Sequence, residues 1–410
     1  MSNTTNGTTP FAPFLKFIND LNRNYTSIPY EEKMEMTVLQ RAKLYNWSFE
    51  LFFIGVVVFI FIVNKVGTSV NVSRADKMFN SVHAFLKDEL KFARVGFTAQ
   101  GSENRLYMDQ HLHTWLTSFS TGRSCIEGIN VHLHLFPRNN PLSMFLENVM
   151  GWYFPILAMD TDAEFCEIEI KPNGVFVGSE NANVNSNSNE VLNNFKFISS
   201  IVNKAFMNQS RHDNYYLALT HTTEGDDLPN EYVYMSEMNQ LNGFITSYCK
   251  KDALNNLLNQ TVDLLEFISF TDLPADKPEN TSVWNATKKI RCVIRTHVPT
   301  NEKELVLLNQ LIGLVVEIYD NYTRTLVQKN ETSFITNDML KKANNMRTIE
   351  LGKITKIARE AALEREKEEK KEAEKEKRRN LKKTGEQEKI DQKMKEKRER
   401  RQKNKQKVRM

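Results

Sequence analysis

Residues 51–63 read LFFIGVVVFIFIV, thirteen in succession without a polar side chain. That run alone is too short a helix for the ~30 Å of bilayer hydrocarbon, but Trp47 to Val66 is twenty residues at ~1.5 Å each. Trp47 stands where an interfacial aromatic belongs, and Glu50 and Lys65 are near enough to the ends to snorkel. The expectation is a transmembrane helix over 47–66 behind a short tail of residues 1–46. The first 45 residues lack a basic n-region and the apolar run has no small-residue cleavage site, which argues against a signal peptide.

Orientation does not follow from flanking charge, because Lys33, Arg41 and Lys43 before the span balance Lys65, Arg74 and Lys77 after it. Sequons lie on both sides, Asn24 and Asn46 before and Asn208 and Asn321 after, and do not decide it either. Cys125, Cys166, Cys249 and Cys292 all follow the span in apolar surroundings and read as buried thiols of a reducing compartment. The expected arrangement is an N-terminus outside, in a lumen, and a C-terminus in the cytosol.

Net charge is +4, but residues 341–410 hold 27 basic and 14 acidic side chains, leaving an acidic body with a strongly basic tail. With 15 Gly and 11 Pro in 410 residues, collagen-like and Pro/Gly-rich classes are excluded. The body, 75–335, mixes periodicities. Ala75–Arg94 carries Phe79, Val82, Phe85, Leu86 and Leu90 at helical spacing. Ile129–Phe136 alternates as a half-buried strand, and Ala163–Ile170 with Gly174–Val177 flank a hairpin signal at Pro172-Asn173-Gly174. Asn181–Asn189 reads as a polar loop, and Asn189 can cap a helix presenting Val191, Leu192, Phe195, Ile198 and Val202. Tyr215–Thr220, Leu264–Phe270 and Lys289–Val298 are further strand candidates. Asn301 and Glu304 form a capping box ahead of the apolar helix LVLLNQLIGLVVEIYDNY. The fold class expected is α+β: one transmembrane helix, a cytosolic mixed globular domain, and a long charged C-terminal helix or coiled coil.

No phosphate loop, dinucleotide fingerprint, nucleophile elbow, HExxH or CxxC occurs. His132 and His134 share one strand face and could share a metal, but no third ligand is evident and a solvent-facing pair is the better reading. Cys125 beside Glu127 lacks the local signature of a catalytic thiol. No enzyme, cofactor or metal is expected.

In the tail, 336–410, Met346, Leu351, Ile354, Ile357 and Ala361 recur at near-helical spacing and should dock on the body, a partner or a membrane surface. Beyond Leu363 apolar residues are too sparse for a continuous seam, leaving a charged helix supported by pairs such as Glu366–Lys370. Phe334 is the last aromatic residue, so the tail cannot stack on unpaired bases; its nucleic-acid contact is with phosphates and helical shape. The densest basic segment supplies Lys393, Lys395, Lys397, Arg398, Arg400, Arg401, Lys403, Lys405, Lys407 and Arg409, with structured RNA as the favoured partner over an anionic membrane or a solvated spacer.

Ser120-Thr121-Gly122-Arg123-Ser124-Cys125-Ile126-Glu127-Gly128, then a strand and a helix at Leu142–Met150, resembles the motif of the coiled-coil domain-containing protein 47 (calumin) family, with Gly122, Arg123, Cys125, Glu127 and Gly128 carrying the likeness. Tyr234-Met235-Ser236-Glu237-Met238 resembles a second family element, and the order strand, Pro299, long helix, charged tail extends the likeness over some 350 residues. The resemblance implies a subunit of the PAT complex at the endoplasmic reticulum translocon, aiding insertion of multi-spanning clients beside the Sec61 channel. It further implies contact with the ribosome and a small membrane partner resembling Asterix. The family's animal members carry a cleaved signal and an acidic luminal region; here residues 1–46 hold only Asp20, Glu31, Glu32 and Glu35, so calcium binding is not expected. The rival class is a membrane tether or scaffold for organelle contact or calcium homeostasis.

Overall fold

The computed structural model describes residues 22–97, 106–153, 164–176, 188–328, 333–383 and 392–401. The span and the amphipathic segment after it are one helix, α1, Ser48–Asp88, 41 residues and ~60 Å long. Its most apolar window is left uncovered by the rest of the chain. From Gly67 onward one face turns into the body, burying Asn71, Ala75, Met78, Phe79, Val82, His83 and Leu86 at the 3–4 spacing of a single helix stripe. No break separates the apolar run from the amphipathic segment: between Val66 and Ala75 there is no proline, and Gly67 alone costs only ~1 kcal/mol.

Ten strands among the described residues form one antiparallel sheet. In chain order they are β1 Arg94–Val95, β2 Met108–His111, β3 Trp115–Thr121, β4 Ile126–His134, β5 Phe165–Pro172, β6 Ser199–Asn203, β7 His221–Thr223, β8 Tyr232–Ser236, β9 Leu265–Thr271 and β10 Arg291–His297. Their spatial order is β1-β3-β4-β5-β10-β9-β6-β8-β7, with β2 on β3. Helices α2 Pro141–Tyr153, α3 Lys251–Gln260, α4 Thr281–Thr287, α5 Glu302–Gln328 and α6 Asn337–Lys383 complete the frame, with shorter turns between.

Register explains the two faces. One row across the sheet runs Val131, Ile168, Ile294, Ile268, Ile201, all buried under α1 and α5 in the main core. The adjacent row, pointing the other way, runs Val233, Val202, Phe267, Arg295, Glu167, His132. Its apolar half carries a second core with Trp284 of α4, Tyr216 and Leu217. Its charged half closes on itself instead: Arg295 pairs with Glu266 at 3.2 Å and Arg291 with Glu169 at 3.3 Å. Helices α1 and α5 meet where Asn309 donates to Ser81 at 3.0 Å and Gly313 lies against the Phe85 ring.

The α+β class, the strands at Ile129–Phe136, Leu264–Phe270 and Lys289–Val298, and the capped helix after Pro299 agree with this structure. Glu304 accepts from the Thr300 and Asn301 amides at 2.7 and 3.3 Å. Three expectations are corrected. Tyr215–Ala218 is a helical turn, not a strand; a short apolar run fits either, and its Tyr216 and Leu217 are taken up by the second core. The helix at Asn189 is only Ser188–Asn193; Ile198 directly precedes β6 and Val202 lies within it, where β-branched residues pack well. Pro172-Asn173-Gly174 makes no hairpin: β5 pairs with β4 and β10, and the turn is held by Asn173 donating to the Cys125 carbonyl at 3.0 Å. The loop at 181–187 and residues 163, 177 and 385 lie outside the described residues.

At Gly67 any Cβ would run into the Arg138 carbonyl and the Asn139 amide. Gly67→Leu is expected to separate α1 from this backbone at a cost of about 1–3 kcal/mol. Earlier protease cutting near residue 139 and a lower Tm of the detergent-solubilised protein would register it; an unchanged Tm and cleavage pattern would contradict the contact.

Candidate functional site

The tail helix α6 is rooted in the body over its first five turns. Met339 and Leu340 pack on the main core, Ala343 is buried, and Leu351 and Ile354 reach the second core. Burying one such aliphatic side chain contributes ~1.5–3 kcal/mol. Between the two apolar contacts sits Arg347, only 7% exposed. Strands β8 and β9 both pair antiparallel with β6, so they are mutually parallel and end at the same sheet edge. Glu237 directly follows β8 and Asp272 directly follows β9, and Arg347 enters between them. Its Nε and Nη2 donate to the two Glu237 carboxylate oxygens at 2.6 and 3.1 Å, and Nη1 donates to Asp272 Oδ2 at 2.8 Å. Asp272 Oδ1 is also an ion-pair contact at 2.8 Å, at an angle too poor for a hydrogen bond. Glu237 Oε2 further accepts the Ile198 amide at 3.2 Å.

Burial pushes the Glu237 carboxyl upward, with Arg347 opposing. Burial likewise works against the Arg347 charge, but the two carboxylates outweigh it and hold the guanidinium above its usual range. The arrangement is a two-pronged lock joining helix to sheet edge. Its sequence signal was partial: Glu237 lies in the quoted Tyr234–Met238 element, whereas Arg347 looked like one basic residue among many.

Of the docking residues read from spacing, Leu351 and Ile354 meet the body, while Met346 and Ile357 are 46% and 57% exposed and Ala361 is exposed as well. From Arg359 onward every side chain described on α6 is exposed. Lys370 and Glu366 form the expected i,i+4 pair, and Gly352 does not interrupt the helix. A coiled-coil partner strand is absent among the described residues of this single chain.

Residues 392–401 are helical and exposed. At ~100° per residue, Lys393, Lys397, Arg400 and Arg401 fall on one side, with Glu396 flanking that side next to Arg400 and with Lys395, Arg398 and Glu399 on the remainder of the circumference. Six cations against two carboxylates over 392–401 make the segment strongly basic, with cations around most of its circumference. Lys403, Lys405, Lys407 and Arg409 lie outside the described residues.

The Gly122–Gly128 element serves the fold. Gly122 has φ +96°, and Cys125 has φ 66°. Arg123 donates to the Leu90 carbonyl at the end of α1 and pairs with Asp320 of α5. Gly128 lies against the Phe119 ring, and Glu127 is exposed. Burial, with Asp320 adding to it, pushes the Cys125 thiol up to about 12, so it is not a thiolate at neutral pH. His132 faces Glu167 in register and burial lowers its pKa; His134 packs its ring 4.3 Å from Trp115 and 5.2 Å from Phe165. The pair is therefore half-buried on a packed face rather than open to solvent. Among the described residues no group of three His, Cys, Asp or Glu is placed to hold a metal.

Near the start of the body, Glu164 accepts from Arg74 of α1 at 2.7 Å, from Arg138, and from the Phe136 amide at 3.1 Å. Burial alone would raise this carboxyl, but these donors outweigh it and hold it below the usual carboxylate value. A depressed folded pKa stabilises above the unfolded value of ~4.3 and is lost as pH falls through the folded one.

Compared with known proteins, the chain matches the family described as PAT complex subunit CCDC47 over residues 46–401. It is 50% identical over 355 residues, 87% of each chain, to the UPF0674 endoplasmic reticulum membrane protein YNR021W of Saccharomyces cerevisiae (strain ATCC 204508 / S288c).

Two outcomes follow from the geometry. Arg347→Ala strands two buried carboxylates and is expected to cost about 3–5 kcal/mol. Hydrogen exchange should then rise along 337–358 first; protection equal to the parent would refute the lock. Acidification below about pH 4 should loosen the Arg74–Glu164–Arg138 junction, seen as proteolysis near 138, and Glu164→Gln should make that cutting independent of pH.

Proposed function

Because the chain belongs to the family of PAT complex subunit CCDC47, we propose that it is a non-enzymatic, ribosome- and translocon-associated factor that helps multi-spanning proteins insert and fold in the endoplasmic reticulum membrane. The observation that carries this reading is the tail: a helix, α6, locked into the body by Arg347 and fully exposed from Arg359, and a second exposed helical segment, 392–401, with six cations against two carboxylates. A helix without aromatic residues and with clustered cations suits the phosphates of structured RNA, here ribosomal RNA. In this reading Lys393, Lys395, Lys397, Arg398, Arg400, Arg401, Lys403, Lys405, Lys407 and Arg409 carry the contact. Met346, Ile357 and Ala361 remain free on α6 for a ribosomal or channel protein. The body faces the cytosol beside the Sec61 channel, the N-terminus is luminal, and the lipid-exposed side of α1 receives an Asterix-like small membrane protein and client segments. Support for that side comes from residues 51–62, nearly all large and apolar and all uncovered by the body.

The test is cosedimentation of the purified full-length protein with ribosomes across a salt series. A truncation at Leu340 would remove Arg347 and unpair Glu237 and Asp272, so the informative cut falls after Arg359. That truncation, and reversal to Glu of Arg398, Arg400, Arg401, Lys403, Lys405 and Lys407, are each expected to weaken binding by about tenfold or more and to flatten its salt dependence. Salt-resistant binding that survives both changes would remove the tail from the contact. Failure of the intact protein to bring down ribosomes or channel components would overturn the reading and favour a membrane tether.

A further inference from the structure

The first body residue buried on α1, Gly67, directly follows Val66 at the end of the apolar run, so the body has no stalk and lies against the bilayer surface. Helix α2 starts at this level. Asn64 of α1 donates to the Asn139 carbonyl at 2.8 Å, two residues before α2 begins, and Gly67 lies against the backbone of Arg138 and Asn139. Glu164 pairs with both Arg138 and Arg74, so residues 138 and 164 are held together beside α1 at this level.

The sequence of α2, PLSMFLENVMGWY, holds one charge, Glu147, and no basic residue. Leu146, Met150 and Tyr153, spaced four and three apart and hence on one helix face, are 53%, 44% and 67% exposed, and the neighbouring Trp152 is 80% exposed. Leu112, at the β2–β3 turn, is 67% exposed, and Asn139 Nδ2 donates to its carbonyl at 3.2 Å, which brings a second apolar tip to the same place. In water such a surface would be an unexplained liability. Thirteen residues, ~20 Å of helix, are too few to span hydrocarbon but suit the interface, where Trp and Tyr are enriched.

We propose that α2 is a second membrane contact: it lies in the lipid interface beside α1, with Leu146, Met150, Trp152 and Tyr153 in the acyl-headgroup boundary and Leu112 alongside. The occupant of this face is lipid, because it is continuous with the lipid-exposed surface of α1 and begins at the same depth. The contact is apolar rather than electrostatic, since α2 has no cation to attract anionic headgroups. It fixes the rotation of the body about α1, which a single span would leave free. The inference rests on α1 being a span but not on ribosome binding.

The experiment places a fluorescent label at Trp152→Cys in full-length protein carrying Cys249→Ser, reconstituted in phosphatidylcholine vesicles brominated either near the glycerol end or near the methyl end of the acyl chains. Val57→Cys in the span and Lys87→Cys, 21 residues past Val66 on the same helix, are the references. The 152 label is expected to lose most of its emission with glycerol-end bromine, less with methyl-end bromine, and to resist aqueous iodide. Added salt or anionic lipid should change nothing. Leu146→Glu with Met150→Glu should abolish the loss at 152 and leave that at 57. A 152 label that matches the 87 label overturns the proposal, and so does one shielded only when other microsomal proteins are present, which would make this a protein-binding face. Absence of quenching at 57 would remove the span and the proposal together, whatever the ribosome assay shows.

Discussion

Everything in this molecule hangs on α1 being one unbroken helix with two kinds of surface. Its first half is apolar around its whole circumference and covered by nothing in the chain; its second half narrows to one buried stripe. A rigid rod of ~60 Å, uncovered at one end and packed into the core at the other, transmits position without a hinge. The sheet is therefore held at a fixed height along α1. Asn71 enforces that height from inside, donating to the carbonyls of His113 and Phe136 at 3.2 and 2.9 Å, so a buried polar side chain on the helix is satisfied only in one register against the sheet.

The opposite end of the body repeats the device with charge. Arg347 gains its hydrogen bonds only if α6 crosses the edge where β8 and β9 end together, since either carboxylate alone would leave the other buried and unpaired. The apolar contacts flanking it, Ala343 before and Ile354 after, supply most of the binding free energy; the ions supply register. The consequence is directional: a helix pinned at its root leaves the body along a defined line. An unanchored basic tail would sample a sphere and recognise nothing but charge.

The elements with the strongest single-residue periodicity were readable in advance: the span from 51–63, the strand with Ile129, Val131 and Leu133 inward, the capped helix opening at Glu302, and the tail helix from Asn337. Short apolar runs were not. Tyr215–Ala218 carries too few residues for a period of two to be told from one of 3.6, and its state was settled by a pocket between β8, β9 and α4. The Gly122–Gly128 motif was visible as a motif, but its use was not, because Leu90 and Asp320 are remote in sequence and meet Arg123 only in the folded chain.

Sequence by itself determined the composition of each surface: which helix could face lipid, which strand face was aliphatic, and where the cations crowd toward the C-terminus. These follow from the chemistry of side chains at spacings of two, three or four, which local geometry fixes. Tertiary structure alone decided which of the tail's many cations is buried and which apolar residues on α6 stay in water. It also decided that the Pro141–Tyr153 helix begins beside the end of the apolar run of α1. Each of those depends on groups brought together across tens to hundreds of residues, where only the closing of the sheet and the path of two long helices set the partner.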